Sequence, residues 1–122
     1  MTDTRKILIV EDNEKNMKLM RDLLQFKGYE TLEAESAESG IELATTELPD
    51  LILLDIQLPG MNGIEALARL RADETTSHIP VIAVTASVMT HDRNKLLEAG
   101  FDDYQLKPLT MNEFLDRVAK HL

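Results

Sequence analysis

Five short runs of strand-forming residues alternate along the chain with segments whose apolar residues recur at helical spacing. The runs cover residues 6–10, 30–34, 51–54, 81–84 and 103–106. Strands that alternate with helices are typical of a parallel sheet, because each return to the same end of the sheet needs a crossover helix. The alternation therefore predicts an α/β fold, with a five-stranded parallel sheet covered by helices on both faces.

The composition of the runs predicts the order of the strands. The first, third and fourth runs contain ILIV, LILL and VIAV, which are apolar at every position, whereas ETLEA and DYQL alternate apolar and polar residues. A parallel strand in the middle of a sheet is covered on both faces and is therefore apolar throughout. We expect the order 2-1-3-4-5, a doubly wound (βα)5 arrangement with the second and fifth strands at the edges.

Between the runs, apolar residues recur on one face of each predicted helix. The expected buried stripes are Met17, Met20 and Leu24 in the first helix, Ala37, Ile41, Ala44 and Leu48 in the second, and Phe114, Leu115, Val118 and Leu122 in the last. Such stripes indicate helices that pack on a core, and not a cofactor site.

The size and charge of the chain exclude several classes of function. Its 122 residues are typical of one domain, and we expect residues 1–122 to form a single domain with no effector domain. The net charge of −9 repels nucleic acid and anionic membrane surfaces. The chain has no cysteine, which excludes disulfides and thiolate chemistry. Its apolar runs are too short to span a bilayer, so the cytoplasm is the expected location.

Polar residues follow four of the five predicted strands: Glu11 and Asp12, then Asp55, Thr85 and Lys107. The carboxyl ends of parallel strands share one end of the sheet, and ligands bind there where the strand order reverses, here between the first and third strands. Taken singly, each residue has a structural explanation. Asp12 or Asn13 suits a helix cap, Asp55 or Thr85 a strand end, and the lysine a solvated surface. Their coincidence at one end of the sheet favours a binding site.

Three carboxylates in one place require a cation. Two carboxylates about 4 Å apart repel each other by roughly 4 kcal/mol at an effective dielectric constant of about 20. Lys107 supplies one positive charge, but a hard divalent ion bound by oxygen atoms balances the cluster more completely. The sequence therefore predicts a Mg²⁺ site, with Mn²⁺ as an alternative ion, at Glu11, Asp12 and Asp55.

Four motifs then give the chain a specific resemblance. The segments "ILIVEDNEKN", "DLILLDIQLPGMNGIE", "IPVIAVTA" and "LKPL" occur in the order and spacing of two-component response-regulator receiver domains. Each motif alone is weak, but together they are highly specific, and the resemblance extends over nearly the whole chain. The sequence therefore resembles a receiver domain of the CheY-like superfamily, and the resemblance implies the fold of that family.

The resemblance implies a metal-dependent phosphoacceptor. Asp55 would be the nucleophile that takes a phosphoryl group from a phosphohistidine. Asp12, Asp55 and the backbone carbonyl of Gln57 would ligate Mg²⁺, and Glu11 would act mainly through metal-bound water.

The resemblance also implies groups that hold the phosphoryl group and respond to it. Thr85 would donate a hydrogen bond to it and Lys107 would pair with it. Pro108 would follow a cis peptide bond that aims the lysine inward. Tyr104 would be the aromatic switch residue, which enters the space that Thr85 vacates. From the residues alone, Tyr104 can equally be a half-buried aromatic of an edge strand.

The implied partners are proteins. A histidine kinase or a histidine phosphotransfer protein would donate the phosphoryl group, and a downstream protein target, such as a kinase, would bind the modified chain. The chain would catalyse only its own phosphorylation and slow dephosphorylation, so it is not expected to be an enzyme. We expect a monomer, with dimerisation on phosphorylation left open. A receiver from a hybrid histidine kinase or longer regulator, and a non-phosphorylated binding scaffold, are the alternatives.

Two other interpretations fit less well. A phosphatase of the haloacid-dehalogenase type has a second aspartate two residues after its nucleophile, where this chain has Gln57. A nucleotide- or flavin-binding module needs glycines after the first strand, where this chain has EDNEKN.

A few polar residues remain outside the predicted site. His78, His91 and His121 lie among loops and helix ends with no carboxylate at ligand spacing, and we predict that all three are surface residues. The resemblance places Gln57 and Ser87 at variable positions that tune hydrolysis.

Overall fold

The structure is a computed structural model and describes residues 4–86 and 93–122. In these ranges five strands alternate with five helices. The strands are β1 (Lys6–Val10), β2 (Glu30–Ala34), β3 (Leu51–Asp55), β4 (Val81–Thr85) and β5 (Asp103–Leu106). The helices are α1 (Glu14–Phe26), α2 (Ala37–Glu47), α3 (Gly63–Ala72), α4 (Arg93–Ala99) and α5 (Met111–Lys120). The predicted α/β class is confirmed.

The five strands form one parallel sheet in the order β2-β1-β3-β4-β5, which confirms the predicted order. Every residue of β3 and β4 is buried, whereas β2 and β5 contain exposed and half-buried residues. In the sheet register Val10 lies between Ala34 and Leu54. The carboxyl ends of β1 and β3 are therefore level, which brings the residues that follow them together.

Two strands run one residue further than predicted. Asp55 pairs with Val84, and the N–H of Ile56 donates to the Val84 carbonyl, so the ladder continues through the polar residue. Thr85 likewise ends β4, and its carbonyl accepts a hydrogen bond from the N–H of Lys107. Asp55 and Thr85 are therefore the last residues of their strands, and the sheet itself holds their backbones.

The helices cover both faces of the sheet. One buried cluster joins the sheet to α2, α3 and α4, and the other joins it to α1 and α5. Six predicted core residues of α1 and α5 are confirmed as buried: Met17, Met20, Leu24, Phe114, Leu115 and Val118. The seventh, Leu122, lies beyond the end of α5 and is only half-buried against the same cluster. No helix in the described ranges is long and apolar enough to cross a membrane.

The predicted stripe of α2 is wrong at its last position. The helix ends at Glu47, and Leu48 is 53% exposed with φ of 46°. The left-handed backbone of Leu48 ends the helix, because its N–H still donates to Ala44 while the chain turns away. Helical spacing therefore no longer applies at this residue, and its side chain points away from the core.

Candidate functional site

Three carboxylates converge at the carboxyl ends of β1 and β3. Glu11 and Asp12 follow β1, and Asp55 ends β3, the neighbouring strand. One carboxylate oxygen from each of the three lies within 4.8 Å of the others. Glu11 and Asp55 are buried, whereas Asp12 is exposed to solvent. The structure thus brings together the acids that the sequence singles out.

The side chain of Lys107 reaches this cluster from the end of β5. Its Nζ lies 2.8 Å from Glu11 Oε1 and 3.3 Å from Asp55 Oδ2, and the side chain is 17% exposed. The peptide bond between Lys107 and Pro108 is cis, as the resemblance implies. Lys107 thus forms ion pairs with two of the three acids, Glu11 and Asp55.

The other predicted site residues in the described ranges lie on β4, on β5 and in the loop after β3. Thr85 is buried at the end of β4, between the strands that carry Asp55 and Lys107. Gln57 is exposed, and its N–H donates to Asp55 Oδ1 at 3.0 Å. Tyr104 is half-buried on β5. Ser87 and His91 lie outside the described residues.

Asn13, not Asp12, caps the first helix. Its Oδ1 accepts hydrogen bonds from the N–H groups of Lys15 and Asn16 at 2.9 and 3.1 Å. The N–H of Asn13 in turn donates to Glu11 Oε2 at 3.2 Å. Of the two capping residues that the sequence leaves open, Asn13 takes this role, which leaves the Asp12 carboxylate beside the other two acids.

Burial and the neighbouring charges shift the pKa values of two groups in the cluster, Glu11 and Lys107. Burial raises the pKa of Glu11, and the negative charge of Asp55 adds to this effect, whereas Lys107 opposes it. Burial alone would lower the pKa of Lys107, but Glu11 and Asp55 outweigh it, so the lysine pKa is raised. With all groups ionised, three negative charges and one positive charge leave the cluster at −2.

The donor set of this site fits a hard divalent cation. All three side chains offer oxygen atoms, and a charge of +2 balances the −2 of the cluster. Glu11 Oε1 is buried and accepts no hydrogen bond of regular geometry from the described residues, although Lys107 Nζ lies beside it. A cleft of about 540 Å³ beside α1 is lined in part by Glu11 and Asp12, which gives water and ions access to the cluster.

A glycine that sequence reasoning missed shapes the loop after Asp55. A Cβ atom on Gly63 would lie 2.6 Å from the Asp55 carbonyl oxygen and 2.8 Å from Ile56 Cα. The N–H of Gly63 also donates to the Ile56 carbonyl at 3.0 Å. The start of α3 therefore packs closely against the backbone of Asp55 and Ile56, with no room for a side chain on Gly63. The sequence shows a glycine after Asn62, the helix cap, but not what it would contact.

The predictions for the described histidines had different outcomes. His78 is exposed, as predicted. The prediction for His121 was wrong, because the residue is half-buried and its Nε2 lies 2.9 Å from Asp103 Oδ2. The end of α5 lies beside the start of β5, so a carboxylate 18 residues away supplies the partner. Spacing along the chain does not reveal such a pair.

Comparisons with known proteins agree with this arrangement. The family model for the response regulator receiver domain matches residues 7–119. The polar-differentiation response regulator DivK of Brucella ovis is 44% identical over 119 residues, covering 98% of this chain and 97% of DivK.

Solved structures share the fold. The receiver domain of a sensor histidine kinase from Pseudomonas aeruginosa has a TM-score of 0.89 at 31% identity, with 97% of each chain covered, and its crystal structure has a magnesium ion coordinated in the active-site cleft. The crystal structure of a protein from Chloroflexus aurantiacus has a TM-score of 0.92 at 29% identity, with 98% of each chain covered. The chain therefore belongs to the response regulator receiver domain family.

Proposed function

We propose that this receiver domain accepts a phosphoryl group on Asp55 within a two-component or phosphorelay pathway. One observation carries the proposal: the Asp55 carboxylate lies within 4.8 Å of oxygens of Glu11 and Asp12 and 3.3 Å from Lys107 Nζ. An acceptor carboxylate, oxygen ligands for a metal and a cation for the phosphoryl oxygens thus occupy one place. Family membership and the similarity to a response regulator support the same role.

The proposed reaction is an in-line transfer from a phosphohistidine. An oxygen of the Asp55 carboxylate forms a bond to phosphorus while the phosphorus–nitrogen bond of the donor breaks, and the nitrogen keeps the electron pair. The N–H of Gln57, which donates to Asp55 Oδ1, holds the orientation of the carboxylate. Lys107, beside Oδ2, pairs with the oxygens of the transferred group. The buried hydroxyl of Thr85 donates a hydrogen bond to them.

A divalent cation completes the proposed site. Asp12, Asp55 and the backbone carbonyl of Gln57 would hold Mg²⁺, or Mn²⁺, and Glu11 would act through its bound water. When bound, the ion supplies positive charge that offsets the charge of the phosphoryl oxygens. The chain itself would catalyse only its own modification and the slow loss of the phosphoryl group.

The proposed output is a change of surface at β5. Thr85 moves toward the new phosphoryl oxygens, and the half-buried ring of Tyr104 enters the space behind it. Two facts support this sequence: Thr85 is fully buried at the end of β4, and Tyr104 lies on the adjacent strand beside Ala83. The ring therefore lies beside the strand that ends in Thr85.

The proposed partners follow from this chemistry. A histidine kinase or histidine phosphotransfer protein supplies the phosphoryl group, and a downstream protein, such as a kinase, binds the altered surface of what we propose is a monomeric domain. We place the pathway in the cytoplasm, where a kinase has access to nucleoside triphosphate.

The proposal is tested by incubation with Mg²⁺ and acetyl phosphate, followed by intact-mass measurement. The parent protein is expected to gain the mass of one phosphoryl group, and EDTA is expected to prevent the gain. Asp55→Asn should stay unlabelled, whereas Asp116→Asn, which removes an exposed acid from α5, should label like the parent. An unlabelled parent would favour the non-phosphorylated scaffold, and equal labelling of Asp55→Asn would assign the modification to another residue.

A further inference from the structure

Side chains hold the backbone of Tyr104 at the outer edge of the sheet. Its N–H donates to Asp103 Oδ1 at 2.8 Å, and its carbonyl accepts a hydrogen bond from Arg117 Nη1. Asp103 is in turn 2.9 Å from His121 Nε2. The start of β5 is thus fastened to α5 by three side chains that the proposed phosphoacceptor chemistry does not use.

Arg117 contacts the ring of Tyr104 as well as its backbone. The guanidinium carbon lies 5.6 Å from the ring centroid, within the range of a cation–π interaction. The side chain is 24% exposed, so the contact is partly shielded from water. One arginine therefore touches both the ring and the carbonyl of the same residue.

Two carboxylates orient this guanidinium. Arg117 Nη1 lies 3.7 Å from Asp103 Oδ1, and Nη2 lies 3.5 Å from Glu113 Oε1, one helical turn earlier on α5. A planar guanidinium can stack on a ring and pair with acceptors in its plane at the same time, which an ammonium group cannot do. The geometry therefore depends on arginine and not simply on a positive charge.

The ring of Tyr104 is only half-buried, whereas its neighbours Thr85 and Gln105 are buried. If the ring moves further into the protein, it leaves the guanidinium that now lies over it, while the backbone contacts remain. The loss of the cation–π contact opposes the movement.

We propose that Arg117 is a positioning residue that holds Tyr104 in the half-buried position and thereby sets how readily the domain responds to phosphorylation. This inference rests on the proposed function, because it assigns a regulator to the same switch. A cation–π contact of this kind changes a conformational equilibrium by roughly threefold to tenfold. Removal of the contact should make the inward position easier to reach by the same factor.

The chain contains two tyrosines, Tyr29 and Tyr104, which allows a direct test. Protein labelled with 3-fluorotyrosine should show one ¹⁹F signal for each, and Tyr29→Phe assigns them. Without metal, Arg117→Met and Arg117→Lys should shift or broaden the Tyr104 signal and leave the Tyr29 signal unchanged. Lys120→Met removes an exposed positive charge from the same helix and should change neither signal.

The second step measures the response to activation. Beryllofluoride with Mg²⁺ is titrated into each protein, and the Tyr104 signal is followed. Arg117→Met and Arg117→Lys should reach half of the full change at roughly threefold to tenfold lower beryllofluoride than the parent. Urea unfolding of each variant checks that it is folded, and Arg117→Gln replaces Arg117→Met if that variant does not fold.

Three results would overturn the proposal: a Tyr104 signal in Arg117→Met that matches the parent, an unchanged titration midpoint, or full restoration of parent behaviour in Arg117→Lys. The last of these would assign the effect to charge alone. Failure of the phosphoacceptor proposal looks different, since the parent itself would then show no response to beryllofluoride. In that case the comparison of the Tyr104 signals of the parent and the Arg117 variants without metal still tests whether Arg117 positions the ring.

Discussion

Asp12 is the exposed member of the acidic cluster, and its replacement separates metal binding from folding. Asp12→Asn removes one of three like charges, so the metal-free protein should be more stable by up to about 1 kcal/mol. A ligand present at 100 times its dissociation constant raises the free energy of unfolding by about 2.7 kcal/mol, and the variant should lose most of this gain with Mg²⁺. Thermal unfolding with and without Mg²⁺ measures both effects.

Asp116→Asn is the matched control for this change, because Asp116 is an exposed acid on α5. It should keep the full stabilisation by Mg²⁺. Equal stabilisation of Asp12→Asn and the parent would remove Asp12 from the metal site.

Gln105 is a polar residue whose side chain is buried in the protein. It is 2% exposed, its Nε2 donates to the Leu106 carbonyl at 3.1 Å, and its Oε1 is buried with no hydrogen-bond partner among the described residues. A buried unsatisfied acceptor costs about 1–3 kcal/mol. Gln105→Leu should therefore raise the free energy of unfolding by roughly 1 kcal/mol, measured by urea denaturation. A loss of stability of that size would show that the amide is satisfied in solution.

Among the helices and strands, the end of α2 has an unfavourable backbone conformation at Leu48, and a substitution can lower its free-energy cost. Leu48 has φ of 46° and is exposed, so its side chain gains little from packing. Asparagine tolerates the left-handed region better than leucine, and Leu48→Asn should stabilise the protein by about 0.5–1 kcal/mol. Leu48→Ala keeps the same backbone cost and should have a smaller effect. Thermal unfolding distinguishes the two, and equal melting temperatures would contradict this explanation.

The close packing of Gly63, at the start of α3, against the backbone of Asp55 is expected to affect the phosphorylation of Asp55. Gly63→Ala places a methyl group against the Asp55 carbonyl and should cost roughly 1–3 kcal/mol of stability. Because the same backbone carries Asp55, the rate of labelling by acetyl phosphate should also fall, even at temperatures where the variant is folded.

Gly60→Ala is the control for this junction. Gly60 has φ of 77° with nothing within 4 Å of its missing Cβ, so alanine costs stability through the backbone alone. Its labelling rate should match that of the parent. A Gly63→Ala protein that also labels at the parent rate would show that α3 does not position Asp55.

At the scale of the whole molecule, burial explains which features the sequence predicts. Strands covered on both faces must be apolar, so ILIV, LILL and VIAV reveal the central strands and hence the sheet order. Parallel strands end together, so the polar residues at their ends predict the grouping of Glu11, Asp12, Asp55 and Lys107.

Features that depend on contacts between distant elements were not predictable from patterns along the chain. Gly63 matters because of what lies 2.6 Å away, and the pair of Asp103 and His121 depends on how α5 lies beside β5. The contact of Arg117 with Tyr104 likewise joins residues 13 apart on different elements. Periodicity reports which face of a helix is buried, but not which side chain of another element meets it.

The most direct test of a single cation and phosphoryl site is a crystal structure with Mn²⁺ and beryllofluoride, in which anomalous scattering locates the metal. We expect one Mn²⁺ peak beside Asp12 and Asp55, beryllofluoride on the Asp55 carboxylate, and Lys107 in contact with its fluorine atoms. A metal bound elsewhere in the domain, with Asp55 unmodified at a saturating concentration of beryllofluoride, would contradict the proposed site.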